Sequence, residues 1–169
     1  MNATLSRKHV LGMAGSLGLL AAFGAPAEAA VASSATVTGA WKLESFDVIQ
    51  AGKAPQPRFG IDPVGYLIYT PSGKMSATLS GIHRPPFVST TVTPTAESKG
   101  QTLADFLSYA GTYELRGDRV FHRVEVCVFT NIVGTTLERQ FKLEGDTLTI
   151  RTITPGMWGD NSILVWKRA

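Results

Sequence analysis

The chain has 169 residues, 44% of them hydrophobic and 17% charged, with 16 Lys or Arg against 13 Asp or Glu. That balance excludes a disordered chain, and the length predicts a single domain. A single cysteine, Cys127, excludes an internal disulfide and a paired-thiolate metal site, so the fold must rest on its hydrophobic core.

At the start of the chain, Arg7 and Lys8 precede an uncharged apolar run from Val10 to Ala25, and Ala27-Glu28-Ala29 then places small residues where a signal peptidase reads them. Residues 1–29 are expected to be a signal peptide and residues 30–169 the folded domain, exported to the periplasm or secreted. The run is glycine-broken and shorter than the roughly 20 apolar residues of a spanning helix, so no stable membrane insertion is expected after cleavage. Lys8 stands where a twin-arginine signal has its second arginine, which favours the general secretory route. Loss of Arg7, Lys8 and Glu28 brings the basic and acidic residues to 14 and 12. No basic block remains to track phosphates, which argues against nucleic acid as a partner.

From Val37 onward, β-branched and aromatic residues recur in short runs separated by Pro, Gly, Asp and Asn, the spacing of an all-β sandwich or barrel. Strands are predicted near 38–49, 64–70, 74–80, 111–116, 119–128, 136–144, 147–154 and 162–168. A helix is predicted from Gln101 to Ala110, where Leu103, Phe106, Leu107 and Ala110 share one face. Gly81 to Gly100 is rich in Pro, Ser and Thr and is long for a plain connection, so a lid or functional loop is expected there.

Ser72-Gly73, Gly117-Asp118 and Gly145-Asp146 read as the central residues of hairpin turns, since Gly and Asp tolerate positive φ. Counting outward pairs Thr70 with Met75, Ile68 with Ala77 and Tyr66 with Leu79; then Leu115 with Val120 and Tyr113 with His122; then Leu143 with Leu148, Phe141 with Ile150 and Arg139 with Thr152. Cross-strand partners share a face and the mostly apolar face is buried. Tyr66, Tyr113, His122 and Arg139 are therefore expected to point inward.

An interior guanidinium needs a carboxylate, carbonyls, water or a ligand. Arg139 thus reads equally as a structural plug and as a ligand contact. His122, a titratable imidazole beside Tyr113, reads as a satisfied core residue or as an acid/base or ligand group. Glu125 has the opposite parity from His122, so a His–carboxylate dyad would need a bulge, and no Gly-x-Ser-x-Gly elbow supports a serine hydrolase. With only His83 and His122 after the leader and no His-x-His or Cys pair, neither a zinc site nor haem is expected. Cys127 reads as a small buried hydrophobe. Two loops are candidate rims: His83-Arg84-Pro85-Pro86-Phe87, and Thr154 to Asn161, which sets Trp158 between glycines; each reads equally as plain surface or packing.

Gly39-Ala40-Trp41 resembles the Gly-x-Trp signature of lipocalins, whose Trp closes the base of an eight-stranded barrel under a late basic side chain, here Arg168 or Lys167. Asp62 to Pro71, Met75-Ser76-Ala77, Arg84 to Phe87, Tyr109 to Tyr113, His122 to Glu125, Asn131, Gly134 and Arg139 resemble the bacterial and fungal lipocalin-like domain family over nearly all of residues 37–168. The resemblance implies an all-β, eight-stranded antiparallel up-and-down barrel with one short helix. The chain departs from the family pattern at Asn131-Ile132 and at Ala110, and both changes are expected to reshape the cavity.

Lipocalin-like barrels generally hold small apolar molecules, and some relatives guide cyclisation, isomerisation or dehydration of a bound polyketide or terpenoid. The expected function is an exported barrel, without cofactor or metal, that binds a small, largely apolar molecule bearing a carbonyl, carboxylate or phenol. Its contacts would be Tyr66, Arg84, Phe87, Tyr113, His122, Asn131, Arg139 and Trp158. The alternative is a cofactor-free lyase, isomerase or cyclase in the same cavity, with Arg139 polarising a carbonyl, His122 moving a proton and Tyr113 steadying an oxyanion. A third reading is a filled barrel acting as a structural module. The sequence leaves oligomeric state open.

Overall fold

Strand β1, Gly39–Ile49, begins with an alternation that buries Trp41 and Leu43 and leaves Lys42 and Glu44 in solvent. A register shift between Leu43 and Ser45 then resets the parity, so that Phe46 becomes the next buried residue, packed edge-on against Phe59 at 5.2 Å. The computed structural model describes residues 37–82, 84, 95–153 and 161–169. The expected leader, His83, Phe87 and Trp158 lie outside them.

After the two-residue strand β2 (Gln56–Pro57) come β3 (Val64–Tyr69), β4 (Lys74–Ser80), helix α1 (Ala96–Ala104), β5 (Phe106–Arg116), β6 (Arg119–Cys127), a 3₁₀ turn (Thr130–Ile132), β7 (Thr136–Glu144), β8 (Thr147–Thr152) and β9 (Asn161–Arg168). The sheet runs β1-β3-β4-β5-β6-β7-β8-β9 and closes through β1 on β9, all antiparallel, with β2 as an appendage on β1. This is the eight-stranded up-and-down barrel that the family resemblance implied, where the turn spacing alone left a sandwich or a barrel, and closure leaves none of the eight with a free edge.

Two hairpins pair as the counting predicts, with Tyr113 opposite His122 and Arg139 opposite Thr152. The first does not. Tyr69, rather than Thr70, pairs with Met75, and Tyr66 pairs with Thr78. The loop has three residues: Pro71 leads the turn, Gly73 takes φ 78°, and the Thr70 N–H donates to the Lys74 carbonyl at 2.9 Å. A three-residue loop with a left-handed glycine shifts every residue of β3 by one relative to a two-residue turn. Tyr66 therefore faces solvent at 55% exposure, while Tyr69 is buried at 2%.

The helix also departs from expectation. It starts at Ala96, where the Thr95 side chain caps it by accepting from the Ser98 N–H, and Phe106 to Ala110 belong to β5. Leu107 and Tyr109 pair with Leu79 and Ala77 on the inner face, so period-two burial in the sheet overrides the helical spacing of the same apolar residues. Ala110 consequently faces away from the interior, and its departure from the family pattern does not reshape a cavity.

One end of the barrel carries the three tight turns and is plugged. Trp41 is fully buried and donates from Nε1 to the Val37 carbonyl at 2.8 Å; the Arg168 guanidinium lies over its ring at 4.2 Å and donates to the Thr38 carbonyl. Arg168, rather than Lys167, is the base of the Gly-x-Trp arrangement, since Lys167 reaches Thr147 on the outer face. The other end receives the long connections, including α1. None of the residues of α1 is buried.

Candidate functional site

The inner face above the plug is mostly aliphatic: Leu67, Met75, Ala77, Leu79, Val120, Leu148 and Ile150 are each less than 5% exposed. Among the described residues, a cluster of polar side chains interrupts it. Tyr69 comes from the end of β3, Tyr109 from β5, His122 from β6 and Arg139 from β7.

His122 is 2% exposed and both of its ring nitrogens are engaged. The Tyr69 hydroxyl lies 2.7 Å from Nε2 and the Tyr109 hydroxyl 2.9 Å from Nδ1. A neutral imidazole has one donor and one acceptor, so one phenol donates to the ring and the other accepts from it. Burial, with help from the nearby Arg139 charge, pulls the imidazole pKa down to about 3. Burial also pushes the Tyr109 phenol up to about 12, against Arg139, and raises Tyr69, where Tyr109 and Tyr113 add to the effect. All three rings are neutral through the physiological range. A general acid/base group works best with a pKa near the working pH; His122 is held between two phenols with its pKa pulled well below that range.

This state has a measurable signature. Above about pH 6.5 the imidazole is neutral whether the chain is folded or not. As pH falls toward about 3 the unfolded chain takes up a proton that the folded one refuses, so stability is lost across that window. Urea midpoints are expected to drop between about pH 7 and pH 4.5, and less steeply in His122→Gln; identical slopes would remove His122 from the pH dependence.

Arg139 is half-buried, opposite Val120 on one side and Thr152 on the other. Its Nη1 donates to the carbonyl of Glu138 at 2.9 Å. None of the ion pairs among the described residues includes it; the Glu138 carboxylate faces outward and pairs with Arg119. Burial lowers its pKa, partly opposed by Tyr109 and Tyr69, yet a guanidinium remains a cation in any protein setting. The inner face thus carries a positive charge flanked by neutral phenols.

Other expected contacts are placed differently. Tyr113 is buried, but its hydroxyl donates to the Thr70 carbonyl at 3.1 Å near the plugged end, and its ring packs against Tyr69 with centroids 4.5 Å apart. It shores up Tyr69 without reaching the imidazole. Tyr66 is outside the barrel. Arg84 donates from Nε to the Thr102 carbonyl of α1 at 3.0 Å and stacks over Phe106 at 4.4 Å, which fastens the helix to the start of β5. Asn131 is exposed in the 3₁₀ turn between β6 and β7. Glu125 sits at a β6 bulge but stays outside, paired with Lys74 at 3.0 Å, so no His–carboxylate dyad forms. The same bulge turns Val126 outward and Cys127 inward opposite Tyr109, where it packs half-buried against the core. Trp166 Nε1 is buried without an acceptor among the described residues. An outer hollow of about 440 Å³ between Asp118, Gln140, Lys142, Thr149 and Arg151 lies on the outward side of β7 and β8. Among the described residues no helix is long and apolar enough to cross a membrane, and no three His, Cys, Asp or Glu side chains converge as metal ligands.

A family model described as the lipocalin-like domain matches residues 38–169. The chain belongs to the lipocalin-like domain family. This lipocalin-like domain is also 29% identical over 85 residues to the 4'-hydroxy-3'-methoxypropiophenone carrier protein of Aspergillus oryzae, a match covering 44% of this chain and 77% of the relative. The barrel and the carrier relative together fit small-molecule binding.

Proposed function

We propose that this lipocalin-like domain is an exported carrier of a small aromatic molecule bearing a carbonyl or phenol. The observation that carries the reading is Arg139, a guanidinium on the inner wall of the barrel with no carboxylate partner among the described residues, beside Tyr69, Tyr109 and His122. A partly buried charge without a counter-charge costs stability, and a group of this kind is a candidate ligand contact. The aliphatic wall takes the ring and alkyl portion, Arg139 takes the polar oxygen, and the phenols and the neutral imidazole fix its direction. Similarity to a protein named as a carrier of 4'-hydroxy-3'-methoxypropiophenone supports an oxygenated aryl ketone. The charged n-region, apolar run and Ala27-Glu28-Ala29 support export.

Titration calorimetry of the domain with 4'-hydroxy-3'-methoxypropiophenone tests the ligand class. Saturable binding is expected, with Arg139→Gln weakening it about tenfold to a hundredfold, the usual worth of a hydrogen bond to a charged group. Absence of binding by the wild-type domain, or equal affinity in the variant, would defeat the assignment. Intact mass of the protein from its host, read for a chain starting after Ala29, tests export.

A further inference from the structure

We infer that the ligand is held as an anion, its phenol ionised against the Arg139 guanidinium. This rests on the carrier reading above and goes beyond it, since a neutral ketone or phenol would fit that reading equally well. The inner wall contains a cation that no described side chain neutralises. The groups facing it are Tyr69 from β3, Tyr109 from β5, His122 from β6 and Thr152 from β8, with Cys127 beside Tyr109. Burial holds the Tyr69 and Tyr109 phenols protonated and the His122 imidazole uncharged at neutral pH, so none of these three rings supplies a counter-charge. A neutral oxygen would leave the half-buried guanidinium, whose Nη1 already meets the Glu138 carbonyl, without a counter-charge beside neutral phenols, whereas a phenolate compensates it and accepts hydrogen bonds from it. An opposite charge at this range favours the ionised form of an acid by about one to three pKa units, as it does for a carboxylate beside arginine. On binding, the phenol O–H bond breaks, the proton passes to buffer and the oxygen stays beside Arg139 as the anion.

An acyl phenol and its phenolate absorb at different wavelengths, so ionisation can be read separately from binding. The domain in a Cys127→Ser background, which removes the thiol from the titration, is saturated with 4'-hydroxy-3'-methoxypropiophenone and followed by absorbance from about pH 5 to pH 9. His122 and the two phenols do not titrate across that range. The bound probe is expected to become phenolate about one to three pH units below the free probe, and the 4'-O-methyl analogue to bind more weakly with no pH dependence. Arg139→Lys should keep most of the shift and Arg139→Gln abolish it. A probe that binds with its free midpoint unchanged overturns the ionised state while leaving the carrier reading intact. A probe that does not bind the wild-type domain at any pH overturns both. The titration with Arg139 intact decides the matter even if the glutamine variant does not fold.

Discussion

Gly111→Ala is expected to prevent the barrel from closing. Gly111 sits in β5 where β6 bulges between Val124 and Val126, and a Cβ there would collide with the Arg123 carbonyl oxygen while standing 3.0 Å from the Glu125 nitrogen. Both atoms belong to the backbone of the neighbouring strand, so no side chain can swing aside. Ordinary overpacking of a core costs about 1–3 kcal/mol, and a clash against a paired strand falls at or beyond the top of that range. The bulge also turns Cys127 inward opposite Tyr109, so relieving the clash would disturb the strand pair that positions the Tyr109 hydroxyl on His122. Soluble yield and thermal unfolding check this. A near-wild-type Tm would mean that the bulge adapts. Gly100→Ala, in α1 with nothing within 4 Å of the added methyl, serves as the comparison and is expected to be neutral or to stabilise by up to about 1 kcal/mol.

Trp41→Ala should cost about 3–5 kcal/mol, the range for truncating a buried aromatic residue. The indole is completely buried, its N–H satisfies the Val37 carbonyl, and its face supports Arg168, so the substitution opens a cavity and frees the last strand residue together. A fall in Tm of about 10 °C or more is expected for a domain of this length. Trp41→Phe keeps the packing and loses the hydrogen bond, and should recover more than half of the loss. If alanine and phenylalanine behaved alike, the hydrogen bond rather than the buried volume would be the main contribution.

Much of this architecture is legible in the sequence because a two-residue turn leaves no freedom of register. Gly117-Asp118 and Gly145-Asp146 place His122 and Arg139 on the inner face by counting alone, and both are there. The same counting fails at Ser72-Gly73. Pro71 suits the second position of a type I turn and Gly73 the left-handed position after it, so Pro-Ser-Gly signals a three-residue loop. The alternation of β3 could not expose the slip, because Val64, Tyr66 and Ile68 are as apolar as Leu67 and Tyr69. Tyr69 was missed on that account. Tyr109 was hidden differently: it lies between Phe106, Leu107 and Ala110, whose spacing of three and four imitates a helix until β4 supplies partners for it. The contact between two phenols and one imidazole joins residues 53 and 13 positions apart, and no local pattern encodes that meeting.

The plug also decides how the molecule can be held from outside. Residues 38 and 168 are bonded to each other, and the Ala169 N–H reaches the Ala40 carbonyl at 2.9 Å, so both ends of the folded unit emerge side by side beneath Trp41. A surface, reporter or partner tethered next to residue 38 or residue 169 would hold the barrel by its sealed base.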